Sequence, residues 1–205
     1  MNAVFAQWAR DGLVWLPERG MGWLNVTEAP YDAAYFDKYR AYADTEMGRA
    51  ITATRVALVR RHAPRDRVCD VGIGCGSFVE AMDCEGFDVN PAGVRWLNDR
   101  LRFCDPREQT VDAATFWDVL EHIAQPAAIL DNVRKWVFVS LPIVPGDGPP
   151  PLDWKHLRRD EHCLYWTRAG LIAWMGEHGF ECIEHNTAES LLGRDDAHTF
   201  VFRRS

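Results

Sequence analysis

The residues best suited to ligand chemistry are three alternate glycines that follow a short apolar segment. Gly72, Gly74 and Gly76 occupy every second position of this turn. Because glycine has no Cβ atom, such a turn lets the backbone approach a bound ligand closely. Asp70 lies two residues before the first glycine, and Asp88 ends the next predicted strand. The pattern therefore predicts a ligand site that carries negative charge.

A nicotinamide dinucleotide is the first alternative for this turn, and the spacing argues against it. The dinucleotide fingerprint is G-x-G-x-x-G with an acidic residue about 20 residues further on. Here the third glycine of that fingerprint would fall on Ser77, and Asp88 comes sooner than that spacing allows. Asp70 also brings negative charge to a turn whose helix N-terminus would have to receive a pyrophosphate. A cationic sulfonium compound with an α-amino group suits this acid better.

Further candidates follow the fourth predicted strand. Trp117 and Asp118 end this strand, and His122 lies four residues further on. A histidine there could take a proton from a hydroxyl or an amine, because its unperturbed pKa is near 6.5. It could equally cap or pack at the start of a helix. Trp117 in turn could be a core residue.

Two more histidines and an aromatic segment are candidates for a lid. His156 and His162 lie six residues apart, too far for one helical face. No third metal ligand is evident beside them, so we predict no metal site. The front of the chain is rich in aromatic residues, which could form a lid over a ligand or the core-packing face of a helix. They are Tyr31, Tyr35, Phe36, Tyr39 and Tyr42.

Composition narrows the class of partner. The 30 acidic and 23 basic residues give a net charge of −7, which argues against a polymeric nucleic acid because phosphate backbones bind chiefly Lys and Arg. No apolar run approaches the ~20 residues of a membrane helix, and no signal peptide is evident. We therefore expect a cytoplasmic protein. One arginine cluster is interpreted as a solvated helix end: Arg55, Arg60, Arg61, Arg65 and Arg67.

The elements that must position these residues alternate between strand and helix, which predicts an α/β fold. We expect a seven-stranded, mostly parallel sheet with one antiparallel strand and helices on both faces. Residues 1–62 would form an N-terminal cap and helix, and residues 63–205 the sheet domain. Ligands in such folds bind beyond the carboxyl ends of the strands. The predicted strands are 67–71, 85–89, 101–104, 111–118, 136–140, 180–185 and 199–203.

Four segments together resemble class I S-adenosylmethionine-dependent methyltransferases. The turn Asp70-x-Gly72-x-Gly74-x-Gly76 resembles their motif I, and residues 86–91 resemble their acidic second motif. Residues 116–123 are similar to the fourth-strand motif of the small-molecule branch that includes the ubiquinone-biosynthesis O-methyltransferases. Residues 161–167, followed by Gly179 and Phe180, resemble the C-terminal signature of that group. Short chains of this kind are also similar to ones found in phages and prophages.

The resemblance implies a Rossmann-like fold, S-adenosylmethionine as cofactor and roles for matching residues. The three glycines would line the methionine moiety, with Asp70 near its amino group. Asp88, with Val89 beside it, would accept hydrogen bonds from the ribose hydroxyls, although a helix N-cap is an alternative role for Asp88. Asp105 would meet the adenine amino group or serve as a turn residue. The resemblance also implies sulfonium contacts for Trp117 and Asp118. From their positions we expect catalysis by His122 and Asp118, and acceptor contacts by His156, His162 and Tyr165.

The implied activity is methyl transfer to an oxygen or nitrogen atom of a small-molecule acceptor. A nucleic-acid or protein methyltransferase is the first alternative. Amine-methylating enzymes of nucleic acids carry an Asn/Asp-Pro-Pro-aromatic motif after the fourth strand, where this chain has residues 118–121, Asp-Val-Leu-Glu. A non-catalytic protein that binds S-adenosylmethionine and scaffolds a partner is the second alternative.

Overall fold

The computed structural model describes residues 12–26 and 31–205, and within them nine strands form two sheets. The strands are β1 Val14–Leu16, β2 Met21–Trp23, β3 Val68–Val71, β4 Glu85–Phe87, β5 Val111–Trp117, β6 Val133–Pro142, β7 Leu164–Trp166, β8 Phe180–Asn186 and β9 Ala197–Arg204. The helices are α1 Ala33–Ala43, α2 Glu46–His62, α3 Ser77–Met82, α4 Pro91–Asn98, α5 Ala127–Leu130, α6 Arg168–Glu177 and α7 Ala188–Leu191. Short 3-10 turns lie at Pro17–Arg19 and Leu120–His122.

The main sheet has the strand order β4-β3-β5-β6-β9-β8. Strands β4, β3, β5 and β6 run parallel, and β9 runs antiparallel to both of its neighbours. The central strands β3, β5 and β6 are almost entirely buried, as expected for strands covered by helices on both faces. The predicted Rossmann-like α/β class with one antiparallel strand is confirmed.

The predicted number of strands in this sheet was wrong, because the described residues contribute six and not seven. The segment predicted as the third strand, 101–104, makes only a parallel bridge from Phe103 to Gly86. Leu101 has a φ of 57°, and its N–H donates to the Asn98 carbonyl oxygen at 3.0 Å. This residue therefore closes the end of α4 instead of opening an extended strand.

Helices cover both faces of the main sheet. The front helical region is divided in two at Thr45, whose side chain caps α2 by accepting a hydrogen bond from the Gly48 N–H at 3.0 Å. One apolar core lies under α2, α3 and α4 and includes Val56, Val59, Val79, Leu97 and Phe138. The other lies under α5 and α6 and includes Leu130, Leu171, Met175, Phe116 and Phe200.

A second sheet of order β1-β2-β7 holds the segment before β7 against the end of β5. Its hairpin packs tightly on the start of α6, since a Cβ on Gly170 would lie 2.1 Å from the Gly20 carbonyl oxygen. The Cys163 N–H, just before β7, donates to the Glu121 carbonyl oxygen at 2.9 Å. Residues 161 and 162 are thereby placed beside the turn that follows β5.

The segment predicted as a cap, residues 1–62, includes a helix of the sheet domain. This helix is α2, which packs on the main sheet through Val56, Leu58 and Val59. The division at residue 62 stays a prediction, and residues 1–11 and 27–30 of that cap lie outside the described residues. None of the described helices is long and apolar enough to cross a membrane.

Candidate active site

A cavity of about 940 Å³ opens at the carboxyl ends of β3, β4 and β5. Its walls on the sheet side are residues 70–75, 87–90 and 117–119. Facing them are α1, the start of α2, the 3-10 turn after β5, and the segments around residues 155–162 and 193–197. The site is therefore built at the sheet edge where ligands of parallel α/β folds bind.

The glycine turn forms one wall of the cavity, and all three glycines have positive φ: 74° at Gly72, 57° at Gly74 and 84° at Gly76. A Cβ on Gly72 would lie 2.5 Å from a methyl carbon of Val119. Gly72 and Gly74 line the cavity, but Gly76 does not. A Cβ on Gly76 would instead lie 2.5 Å from the ring of Trp96. Packing of the turn against Trp96 accounts for the third glycine in this structure, and its predicted ligand contact stays a prediction.

Asp70 lies buried beneath this wall with 1% of its surface exposed. Its carboxylate accepts a hydrogen bond from the Thr115 hydroxyl at 2.5 Å. Burial raises the pKa of Asp70 to about 7, while the Thr115 hydroxyl and the Arg55 guanidinium act in the opposite direction. A cation beside this carboxylate would lower its pKa and favour the ionised form.

Asp88 follows β4 at the opposite side of the glycine turn and lines the cavity. Its carboxylate accepts a hydrogen bond from the Asn90 N–H at 2.7 Å, and burial raises its pKa. The cap of α4 is Asn90, whose side chain accepts from the Ala92 N–H, so Asp88 is not the helix cap. Val89 also lines the cavity and is largely exposed.

Trp117 and Asp118 line the cavity at the end of β5, and we call this part the floor. The Arg55 guanidinium lies 4.9 Å from the centre of a Trp117 ring. Asp118 is bound by both Arg55, at 3.2 Å, and Arg194. Burial favours the neutral acid, but these two guanidinium groups outweigh it and hold the pKa of Asp118 below its usual range. Glu189, 1% exposed, also binds Arg55 and Arg194, at 2.7 and 2.6 Å.

This four-charge network corrects the interpretation of Arg55 as part of a solvated helix end. The helical periodicity of the sequence could have indicated that Arg55 is buried. Arg55 lies one helical turn from Ile51 and from Val59, on the buried face of α2. Nothing in the sequence pattern indicated Arg194 or Glu189, which approach from α7 and the loop after it.

His122, Glu121 and His162 lie together on the far side of the cavity. The His122 Nδ1 atom is 2.9 Å from the Glu161 carbonyl oxygen and 3.3 Å from the Tyr31 hydroxyl. Its ring meets the His162 ring edge to face, with centres 4.6 Å apart. Burial lowers the pKa of both histidines, that of His162 to about 3. One ligand-type atom from each of the three residues lies within 4.8 Å of the others. The sequence paired His162 with His156, whereas the structure groups it with Glu121 and His122.

The remaining predicted contacts divide between cavity and core. His156 lines the cavity, with its Nε2 atom 3.0 Å from the Asp195 carbonyl oxygen. Tyr165 does not reach the cavity, because it is buried in the small sheet and its hydroxyl donates to the Arg158 carbonyl oxygen at 3.3 Å. Asp105 does not reach it either, since its carboxylate pairs with Arg107 at 2.5 Å in a turn.

The aromatic front segment is both a cavity wall and a core element. Tyr31, Tyr35, Tyr39 and Tyr42 line the cavity, whereas Phe36 is buried in the core. The Tyr35 hydroxyl donates to the Tyr39 hydroxyl at 3.2 Å, and burial raises the pKa of Tyr31 to about 12. The segment therefore contributes side chains to both the cavity wall and the core, and its role as a lid stays a prediction.

The strand order, the glycine turn and the acid after β4 define a Rossmann-like fold of the class I methyltransferase type. The family model described as a methyltransferase domain matches residues 39–185. This span covers more than half of the chain, and the protein belongs to this methyltransferase family. No curated protein matches the chain significantly.

Solved structures similar to this chain have the same fold at low sequence identity. Magnesium protoporphyrin IX methyltransferase from Synechocystis with bound SAH is 14% identical, with a TM-score of 0.61 over 85% of this chain and 96% of that one. The 1,6-didemethyltoxoflavin-N1-methyltransferase from Burkholderia thailandensis is 15% identical, with a TM-score of 0.56 over 94% and 99%. A possible histamine N-methyltransferase from Thermotoga maritima is 12% identical, with a TM-score of 0.58 over 84% and 97%.

Proposed function

We propose that this methyltransferase transfers a methyl group from S-adenosylmethionine to an oxygen or nitrogen atom of a small-molecule acceptor. The observation that carries the proposal is one continuous cavity with two different sides. The donor side consists of the glycine turn, Asp70 and Asp88. The acceptor side consists of the tyrosines of α1 and the histidines of the turn after β5 and of the segment before β7.

The donor side suits S-adenosylmethionine because it combines close backbone approach with two acids. Positive φ at Gly72 and Gly74 shapes this turn, and Val119 packs where a Cβ of Gly72 would lie. Both glycines present backbone to the cavity, where the methionine moiety would lie. Asp70 lies beneath this wall, where a ligand ammonium group would favour its ionised form. Asp88 offers two carboxylate oxygens at the end of β4, a suitable acceptor pair for vicinal ribose hydroxyls.

The acceptor side suits a small organic molecule. Tyrosine rings and imidazoles line it together with charged side chains such as Lys155 and Arg158. Aromatic walls with placed polar groups are typical of small-ligand sites. The Synechocystis and Burkholderia enzymes are methyltransferases of magnesium protoporphyrin IX and 1,6-didemethyltoxoflavin, which are small molecules. The net charge of −7 likewise favours a small acceptor over a nucleic acid.

The reaction is a displacement at the methyl carbon. A lone pair on the acceptor atom forms the new bond to carbon while the carbon–sulfur bond breaks, and its electrons remain on the sulfur of S-adenosylhomocysteine. The protein's main contribution is to align nucleophile, methyl group and sulfur, and such orientation supplies about 7–11 kcal/mol of a barrier. The floor of Trp117 and Asp118 lies between the two sides, and we place the sulfonium beside it.

We assign Asp118 an electrostatic role and not proton transfer. Two guanidinium groups hold it ionised, so it can face a sulfonium cation without taking a proton. The sequence resemblance to the ubiquinone-biosynthesis branch supports an oxygen acceptor. That branch, a phage or prophage origin and a cytoplasmic location stay predictions.

The cofactor is tested by calorimetry with S-adenosylhomocysteine and NAD on the purified protein. We expect S-adenosylhomocysteine to bind and NAD not to bind. Asp88→Ala removes charged hydrogen bonds worth about 1.5–3 kcal/mol each, so it should weaken binding about tenfold or more. Asp99→Ala is the matched control, since Asp99 is exposed at the end of α4 and lies outside the cavity.

Three results would contradict the proposal. Tighter binding of NAD than of S-adenosylhomocysteine would exclude the donor assignment. Sequence-specific methylation of DNA or RNA by the isolated chain would exclude a small-molecule acceptor. Tight binding without turnover on any acceptor would favour the non-catalytic alternative.

A further inference from the structure

Glu121 is a buried acid whose carboxylate has no hydrogen-bond partner among the described residues. Only 2% of its surface is exposed, and among the described residues neither carboxylate oxygen receives a hydrogen bond. An isolated carboxylate in such a place is strongly disfavoured unless it is paired, protonated or bound to a metal ion. Burial accordingly raises the pKa of Glu121 well above its usual range. Glu121 also lines the cavity, so a bound ligand could supply the partner of its carboxylate.

Two imidazoles lie beside this carboxylate in a form that can bind metal. His122 places Nδ1 at 2.9 Å from the Glu161 carbonyl oxygen, where an N–H donates, so Nε2 keeps its lone pair. This backbone contact is the usual arrangement behind a metal-bound histidine. His162 is 4% exposed and is held in place by the neighbouring bond from the Cys163 N–H to the Glu121 carbonyl oxygen, at 2.9 Å.

We propose that Glu121, His122 and His162 bind one divalent first-row transition-metal ion on the acceptor side of the cavity. Their ligand-type atoms lie within 4.8 Å of one another, so small side-chain rotations bring them to a shared ion. Two imidazoles and one carboxylate suit Mn²⁺, Fe²⁺, Co²⁺ or Zn²⁺ better than the all-oxygen preferences of Ca²⁺. The ion supplies the positive charge that the buried carboxylate lacks.

Three protein ligands leave coordination positions open to the cavity, as in catalytic metal sites. The role of the ion rests on the proposed function. An acceptor hydroxyl bound there loses its proton to water more easily, because the metal lowers its pKa. The oxygen lone pair then forms the bond to the methyl carbon as the carbon–sulfur bond breaks toward sulfur. His122 is then a ligand and not the general base expected from the sequence, and the acceptor atom is oxygen.

The test measures metal binding without the cofactor. Chelator-treated full-length protein is titrated with Mn²⁺, and the free ion is followed by electron paramagnetic resonance. Mn²⁺ is chosen because the free cysteines, as soft thiol ligands, do not favour it. We expect one site, and a loss of affinity of more than about 100-fold in Glu121→Gln and His162→Ala, since even an outer partner is worth about 10- to 100-fold.

His198→Ala is the matched control. His185 and His198 form the other close histidine pair of the described structure, with ring nitrogens 2.9 Å apart on β8 and β9, outside the cavity. This variant should keep the wild-type Mn²⁺ affinity. Mn²⁺ should also raise the melting temperature of the wild type and of His198→Ala, but not that of Glu121→Gln. If Glu121→Gln does not fold, His162→Gln takes its place.

Equal Mn²⁺ affinity in the wild type, Glu121→Gln and His162→Ala would overturn the proposal, and so would binding lost only in His198→Ala. No Mn²⁺ binding by the folded wild type would overturn it as well. Each of these results leaves the methyltransferase assignment intact if S-adenosylhomocysteine still binds. Failure of S-adenosylhomocysteine to bind would in contrast contradict the proposed function while leaving the metal measurement valid.

Discussion

The donor and acceptor sides of the cavity are built in different ways. The donor side comes from two strand ends that are neighbours in the sheet, and its main feature is backbone conformation at Gly72 and Gly74. The acceptor side combines side chains from segments that are distant in the chain, such as Tyr35, His122 and His162. Local sequence motifs therefore identify the donor but not the acceptor.

A buried charge network holds the floor between the two sides, and its loss should have the largest effect on stability. Glu189→Gln removes one of the two carboxylates that pair with Arg55 and Arg194 in the described structure and leaves Asp118 as the other. Breaking a buried ion pair costs roughly 3–5 kcal/mol, and the free energy of unfolding measured with denaturant should fall by about this amount.

The exposed pair of Arg19 and Glu177 provides the control for this prediction. Glu177→Gln should lower the free energy of unfolding by less than about 1 kcal/mol, because solvent screens exposed pairs. Similar losses for Glu189→Gln and Glu177→Gln would contradict the view that the floor is a structural element of the site.

One added methyl group at Gly72 should weaken ligand binding on the donor side. Gly72→Ala places a Cβ 2.5 Å from Val119 at a φ of 74°, so the turn must move and S-adenosylhomocysteine should bind at least about tenfold more weakly. Gly146→Ala is the matched control, because Gly146 has a φ of 75° and no atom within 4 Å of an added Cβ. It should cost about 1–2 kcal/mol of stability and leave ligand affinity unchanged in calorimetry. Equal affinity losses would refute a specific role for the first glycine.

Asp70 should make donor binding depend on pH. Its pKa is raised by burial from 3.8 to about 7, so between about pH 4 and 7 the folded protein holds a proton that the unfolded chain has released. Stability from this group therefore falls as the pH rises through that window. A ligand ammonium group prefers the ionised acid, and S-adenosylhomocysteine affinity should rise between pH 6 and 8. Asp70→Asn should bind weakly without this rise, and an unchanged pH profile in that variant would contradict the assignment.

Apart from the control variants, the smallest expected change in stability comes from a substitution on the acceptor side. Tyr35→Phe removes the hydrogen bond of its hydroxyl to Tyr39, which is worth about 1 kcal/mol of stability. S-adenosylhomocysteine affinity should not change, because this hydroxyl belongs to the other side of the cavity. Calorimetry and thermal unfolding of the same variant separate the two quantities. A clear loss of ligand affinity would contradict the division into two sides.

The sequence predicted the parts of the molecule that depend on local patterns. Strand and helix alternation predicted the sheet and its antiparallel strand, and the alternate glycines predicted a turn that lets the backbone approach a ligand closely. The prediction of a third strand at residues 101–104 was wrong because Leu101 adopts a left-handed conformation. A leucine rarely does so. Gly76 was predicted as a ligand contact because its spacing matched the motif, and the sequence did not indicate that Trp96 packs where its Cβ would lie.

The acceptor side could be predicted only in fragments, since its geometry depends on long-range packing. Glu121 was visible in the sequence, but only the anchoring of Cys163 to its carbonyl oxygen brings His162 beside it. Arg194 joins Asp118 from 76 residues away in the chain. No spacing rule connects residues so far apart, and pairings of this kind require the fold.

The most direct test of the two-sided cavity is a crystal structure of the protein with S-adenosylhomocysteine. The expected result is a ribose within hydrogen-bond distance of Asp88, a methionine moiety against Gly72 and Gly74, and a sulfur atom directed toward the side of His122 and His162. A nucleoside bound among the tyrosines of α1, or a sulfur atom directed away from the histidines, would contradict the account.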